Sequence, residues 1–440
     1  MQKGDPRLIR AWTMYDWANS AYSLTITSAI FPIYFAAITT IGGEDQVLAT
    51  YGLPAASLQS YTLSLGFLIV ALVVPILSGI ADHRGNKKNY LKFFCYLGSI
   101  SCAGLFFLTY DNLWPGLLLF MLACIGFSGS LIFYDAYLPE IAEPKDHDRV
   151  SARGYAMGYV GSVILLVINL LMVMKPDLFG IPDRDGLPAR LSFLTVGLWW
   201  VGWAQITFRN LPDARAPKED KVNVFTNGYR ELRKVWQQML GLKRLRRFLT
   251  AFFVFNMGVQ TVMYLAVTYA KQEIKDPDGS PIADSGLIVS ILVIQLVAAV
   301  GALLFVKLSK RYGNIVALII GLVIWMGICL AAWRINWTNE FYVLAAFVGL
   351  VMGGTQALSR STYAKLLPET EDHASFFSFY DVTFYLATVL GTLAFGLVNQ
   401  MTGDIRNTII AIGSFFVVGS LLLLRVPREE RIAPAVDPAQ

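Results

Sequence analysis

Apolar residues in this chain come in long unbroken runs, separated by short polar connections. A hydrocarbon core of about 30 Å takes about 20 helical residues to cross. Runs of that kind fall near 15–38, 58–81, 90–110, 114–138, 153–174, 190–208, 248–270, 284–307, 315–333, 341–367, 376–400 and 407–426. They predict twelve transmembrane helices and an all-α polytopic fold. Barrel strands would alternate in polarity over about ten residues, and these runs do not. The one long polar connection follows the sixth run. It divides the chain into an N-terminal bundle (1–208), a linker (209–247), a C-terminal bundle (248–426) and a tail (427–440). The first run, from near Tyr15, is too long for a signal-peptide core and no small-residue cleavage site follows it, so it is expected to stay as a helix.

Landmarks recur at a fixed offset. Leu138-Pro139-Glu140 after the fourth run returns as Leu367-Pro368-Glu369 after the tenth, and Gly85-Asn86 after the second returns as Gly313-Asn314 after the eighth. The two halves therefore read as parallel copies of six helices each.

Charge sets the orientation. Of the 36 Lys and Arg residues, all but Lys175, Arg184, Arg190, Lys271, Lys275, Arg334 and Arg406 fall on the side that carries both termini and the linker. Cytoplasmic loops hold the excess of basic residues, so both termini are expected in the cytoplasm. The linker stretch from Tyr229 to Leu240 is amphipathic, and an anionic inner leaflet is its simplest partner. Membrane lipids are thus expected partners.

Composition narrows the function classes. The chain has 440 residues, 55% of them hydrophobic and 15% charged, against about 25% charged in soluble domains. That excludes a soluble enzyme, a nucleic-acid binder and a disordered chain. Cys95, Cys102, Cys124 and Cys329 lie in apolar runs, where free thiols act as small hydrophobes. His83, His147 and His373 sit in separate connections, so neither haem nor a metal site is expected. No phosphate-binding Gly-Lys-Ser/Thr loop is present, so ATP is not used directly and no cofactor is expected; a proton gradient could drive the process.

Parallel six-helix halves with a site between them are the plan of major facilitator transporters. The loop Gly79-Ile80-Ala81-Asp82-His83-Arg84-Gly85-Asn86-Lys87-Lys88 resembles that superfamily's signature. The resemblance implies a gating role for Asp82, with Gly79, Arg84, Gly85, Lys87 and Lys88 around it. The matching second loop, Lys310-Arg311-Tyr312-Gly313-Asn314, lacks the aspartate, which argues against a second latch. Two further stretches, from Trp12 to Tyr22 (with Tyr15, Asp16, Trp17 and Asn19) and from Val150 to Gly161 (with Arg153, Gly154 and Gly158), join Leu138-Pro139-Glu140 in a closer match. They resemble the branch named after the autophagy-related vacuolar effluxer of yeast. That resemblance implies export of small solutes, amino acids first, from a bacterial inner membrane or, in a eukaryote, a vacuole.

Charges inside spans are costly and face the bundle interior or a wet cavity. Here they are Asp16, Asp135, Arg360 and Asp381. Polar stripes accompany them: Asp16, Asn19, Ser23 and Thr27 beside Tyr22 in the first run; Ser128 and Asp135 in the fourth; Asn256, Gln260, Tyr264 and Thr268 in the seventh. Gln356, Arg360 and Tyr363 follow in the tenth, then Asp381, Tyr385, Thr388 and Thr392 in the eleventh. The family's architecture implies that the first, fourth, seventh and tenth line a central pathway. Asp16 fits an inner-gate ion pair, a proton-coupling carboxylate or an anchor for a substrate ammonium. Arg360 offers a fork of donors to a carboxylate or phosphate, or pairs with Asp381; Arg153 and Asp135 form another candidate pair. Gly154 with Gly158 and Gly349 with Gly353 have the small-xxx-small spacing of close helix packing, and Trp199, Trp200 and Trp203 read as packing aromatics.

The leading expectation is a monomeric secondary transporter of a small polar solute working by alternating access. An organic anion, a sugar and a drug-like cation stay open beside an amino acid. A transport-dead sensor on the same fold and a membrane-embedded lipid-modifying enzyme are the alternatives.

Overall fold

In a computed structural model, residues 3–182, 184–212, 224–402 and 405–427 are described, without the side chains of 224–228, 265 and 284. Linker residues 213–223 and the tail beyond 427 lie outside the described residues.

Among the described residues, eleven helices are long and apolar enough to cross a membrane. In order, spans one to six are Pro6–Thr39, Ala55–Arg84, Lys87–Phe107, Tyr110–Ile141, Pro144–Met174 and Leu187–Asn210. Spans eight to twelve are Ser285–Tyr312, Asn314–Ala332, Thr338–Leu366, His373–Thr402 and Ile405–Leu424. The seventh is a broken helix, Lys243–Tyr264 and Ala266–Glu273, bent by 51°; it completes the expected twelve.

Helix ends follow local chemistry. The first span starts nine residues earlier than its apolar run, because Asp5 caps the backbone N–H of Arg7 and Pro6 takes the first turn. Its middle, Tyr22–Ala29, is π-helical, a geometry that often marks functional sites. The second span stops at Gly85, whose φ of 65° closes the turn before Lys87.

The end of the bundle that carries the linker, Gly4 and Pro427 is called the basic face here. At the opposite, far face a tight hairpin pairs Thr40–Ile41 with Glu44–Asp45 across Gly42 and Gly43, both with positive φ. Asp45 then caps the next two segments. Backbone N–H groups of Ala55, Leu48 and Val47 point at its carboxylate and hold it below the usual carboxylate range.

Backbones approach closely where glycine permits. A Cβ on Gly353 would stand 2.0 Å from the Ala298 carbonyl, and one on Gly158 2.4 Å from Ser20 Oγ. Spans ten and eight, and spans five and one, are packed by these small residues. Trp199 and Trp200 also pack: Trp199 stacks on Trp17 and donates to its carbonyl, while Trp200 is buried beside Tyr22 and Phe127.

The linker helix, Val224–Gly241, lays part of its apolar side on the protein and leaves Tyr229, Trp236 and Leu240 exposed. It packs along the second span, with Val235 and Met239 buried, and Trp236 meets Phe379 of the eleventh. Lys234 joins Asp372 at 3.1 Å.

Candidate functional site

The two halves enclose a cavity of about 240 Å³. Its lining comes from the expected first, fourth, seventh and tenth spans, and also from the second, fifth, eighth and eleventh, which add Phe67, Tyr159, Gln295 and Tyr380 among others. It runs from Asp16 and Arg360 past Ser23 and Thr27 to the exposed Ser28.

Arg360 forms its floor. The tenth span carries this guanidinium to the inter-half seam, where it is 1% exposed. One terminal nitrogen donates to Asp135 at 3.0 Å and the other to Asp16 at 3.2 Å. Nε donates to Ser151 Oγ at 3.0 Å, and the nitrogen facing Asp16 also reaches the Ser151 carbonyl at 2.9 Å. Trp12, Tyr134 and Tyr155 place their rings within 4.2–5.7 Å of the cation. Tyr134 donates its hydroxyl to Asp16 at 2.8 Å. Buried ions persist when paired and hydrogen-bonded, and this cluster meets both conditions.

Its room comes from Gly154. A Cβ there would stand 2.2 Å from Asp16 Oδ2 and 2.9 Å from the guanidinium.

The expected pairs are therefore corrected. Arg360 reaches across the halves to Asp16 and Asp135, not along its neighbouring helix to Asp381. Arg153 is exposed and leaves Asp135 to Arg360.

The stripes are redistributed too. Asp16, Asn19, Tyr22, Ser23, Thr27, Asp135, Gln260, Tyr264, Gln356, Arg360, Asp381 and Tyr385 all line the cavity. Asn256 borders an adjoining smaller void and accepts from Gln260 at 3.3 Å. Thr268 lies beyond the bend of the seventh span and is exposed outside the cavity. Thr388 and Thr392 donate to carbonyls of their own helix, and Tyr363 donates to Phe376 O. Ser128 is buried outside the lining.

Beneath the floor the basic face is fastened at two places. Asp82 accepts from the backbone N–H groups of Ala374 and Ser375, at 3.2 and 2.7 Å, at the start of the eleventh span, where a helix N-terminus favours an anion. Lys87 pairs with Glu140, which also meets His373 at 3.1 Å. Lys88 reaches the Leu211 carbonyl at 2.8 Å, Arg84 is exposed and Gly79 is buried.

The second fastening corrects the expectation drawn from the missing aspartate. The acid is Asp148, at the start of the fifth span. It accepts from Asn314 at 2.7 Å, Ser309 at 3.0 Å and Lys365 at 2.6 Å. The halves exchange roles: the loop supplies the acid in one latch and the amide in the other.

Sequence reasoning missed Trp12, Tyr134, Asp148, Ser151 and Tyr155 as members of these clusters. Trp12, Ser151 and Tyr155 lie in the two quoted motifs, where a signal was available.

Comparisons with known proteins agree with this architecture. The profile of the family described as "Vacuole effluxer Atg22 like" matches residues 4–435. An uncharacterized MFS-type transporter, YxiO of Bacillus subtilis, is 32% identical, over 98% of this chain and 97% of that protein. Autophagy-related protein 22-1 of Penicillium rubens is 26% identical, over 87% of this chain and 77% of that protein. Among solved structures, the major facilitator transporter FucP in its outward conformation superposes with a TM-score of 0.71 at 13% identity, covering 97% of this chain and 99% of FucP. The human organic anion transporter MFSD10 gives 0.71 at 13%, over 96% and 100%. These relatives and neighbours are transporters, not enzymes, which removes the lipid-modifying alternative. The chain is an integral multi-pass membrane protein that belongs to the vacuole effluxer Atg22-like family of major facilitator transporters.

Proposed function

We propose that this protein moves a small polar solute, an amino acid or related metabolite, by alternating access of the central cavity. The observation that carries the reading is the polar cavity between two halves whose basic ends are latched to each other across the seam. Breaking Asp82 and Asp148 contacts while closing the other end would expose the same cavity to the opposite side. The excess of basic residues supports a cytoplasmic latched face with both termini, and on that reading the conformation described is outward-facing. The family's name supports export, and a proton gradient acting through the cavity carboxylates would drive it. The protein works as a monomer within the lipid bilayer.

Counterflow in proteoliposomes tests this. Purified protein preloaded with amino-acid, sugar or organic-anion pools should exchange label with the amino-acid pool. Folded protein that exchanges with none of them would contradict the transport reading and favour a sensor.

A further inference from the structure

Arg360 has little left to offer a solute. Three of its donor groups are committed to Asp135, Asp16 and Ser151, and aromatic rings cover it. It does not provide the open fork that a carboxylate or phosphate needs.

The cavity has acid to spare instead. Among the described residues, its charged lining is Asp16, Asp135, Asp381 and Arg360. Asp16 and Asp135 are ion-paired with the one cation; Asp381 has no ion pair within 4.0 Å among the described residues. Asp381 is 5% exposed, it lines the cavity, and its Oδ2 is buried without a hydrogen-bond partner. A buried carboxylate oxygen left bare is costly, and a ligand cation that fills the place removes the cost. The cavity walls are rich in aromatic rings: Tyr22, Tyr155, Tyr159, Tyr380, Phe384 and Tyr385. Ring faces attract organic cations and repel anions.

Resting on the transport reading above, we propose that the cavity selects solutes by a positively charged amino group seated at Asp381. Within the amino compounds, members of net positive charge are preferred over zwitterions, and organic anions are rejected. Asp381 is the specificity-determining residue; Arg360 holds the floor together and does not touch the solute.

The test compares three probes of similar shape on the purified full-length protein: phenethylammonium, phenethyl alcohol and 3-phenylpropionate. Binding is read by titration calorimetry, and counterflow of the same probes and of amino-acid pools is read in proteoliposomes. Phenethylammonium should bind the unsubstituted protein roughly 10- to 100-fold more tightly than the alcohol, the range of one charged hydrogen bond, and the propionate should not compete. Asp381→Asn should erase that preference, and Asp381→Glu, which keeps the charge, should recover part of it.

Equal binding of ammonium and alcohol, preference for the propionate, or no ammonium binding overturns the inference without reference to any variant. An unchanged preference in a monodisperse Asp381→Asn protein overturns it as well. Amino-acid exchange without ammonium preference sinks this inference and leaves the transport reading standing. No exchange of any pool sinks both.

Discussion

The two ends of the bundle are fastened by different rules. At the basic face, bonds cross from one half to the other: Asp82 to the start of the eleventh span, Glu140 to His373, and Asp148 to Asn314 and Lys365. At mid-depth Arg360, Ser151 with Ala357, and Tyr159 with Gln356 still cross. At the far face the described fastenings stay within one half. Tyr34 donates to the Leu108 carbonyl and Arg190 to that of Phe106 in the first. Arg406 pairs with Glu273 at 2.6 Å and donates to Asn336 in the second. The contrast teaches which contacts hold a half together and which hold a state. In the proposed alternating-access cycle, the crossing bonds are the ones that would have to break for the cavity to change sides.

The largest expected effect comes from the deepest crossing. Arg360→Ala would leave Asp16 and Asp135 buried without their cation, at a cost of about 3–5 kcal/mol. Thermal melts in detergent should show it, and Arg360→Lys should recover only part because a point charge cannot replace the fork. An unchanged melt would remove the cluster from the centre of the account.

Gly154→Ala attacks the same cluster without changing charge. Its Cβ would stand inside the Asp16–Arg360 contact, so a loss of about 1–3 kcal/mol is expected. Gly202→Ala, with nothing within 4 Å of the added atom, serves as the control and should melt no lower than the unsubstituted protein.

The latches should act on state more than on stability. Asp148→Asn removes a charged hydrogen bond worth about 1.5–3 kcal/mol, taken from the closed basic face alone. Ser361, fully buried in that seam, reports it: Ser361→Cys should react with a water-soluble thiol reagent at least tenfold faster in the Asp148→Asn background, a tenfold change being about 1.4 kcal/mol. The four native cysteines are buried and give a low background. Equal rates would mean that Asp148 is no latch.

The smallest effect belongs to the far face. Arg406→Ala should cost about 1 kcal/mol, since its ion pair with Glu273 is partly solvated. It should leave Ser361→Cys labelling unchanged. Faster labelling would show that far-face bonds also set the state and would blur the comparison.

Much of this was legible in the chain. Run lengths gave the twelve crossings, and the order of polar positions gave Asp16, Gln260, Gln356 and Asp381 as cavity residues. Partners were harder. Arg360 and Asp16 are 344 residues apart, and no local periodicity joins positions on different helices. Asp148 was hidden for a related reason: its role depends on which loop of the other half it meets, while the loop–loop repeat pointed to a missing acid at 310. The bend after Tyr264 was invisible because the apolar run continues through it, so Thr268 read as lining. The linker helix showed its amphipathic side plainly, but not whether lipid or protein would cover it.

The most direct test of the central claim is a pair of spin-label distances across the seam. Arg84→Cys with Tyr312→Cys reports the basic face, and Leu178→Cys with Met401→Cys the far face; all four positions are exposed. In otherwise unsubstituted protein the basic-face distance should be short and narrowly distributed. Adding Asp82→Asn and Asp148→Asn together should lengthen it while the far-face distance shortens. Distances that stay put, or that change at one face without the opposite change at the other, would contradict a transporter whose state is set by its cross-half latches.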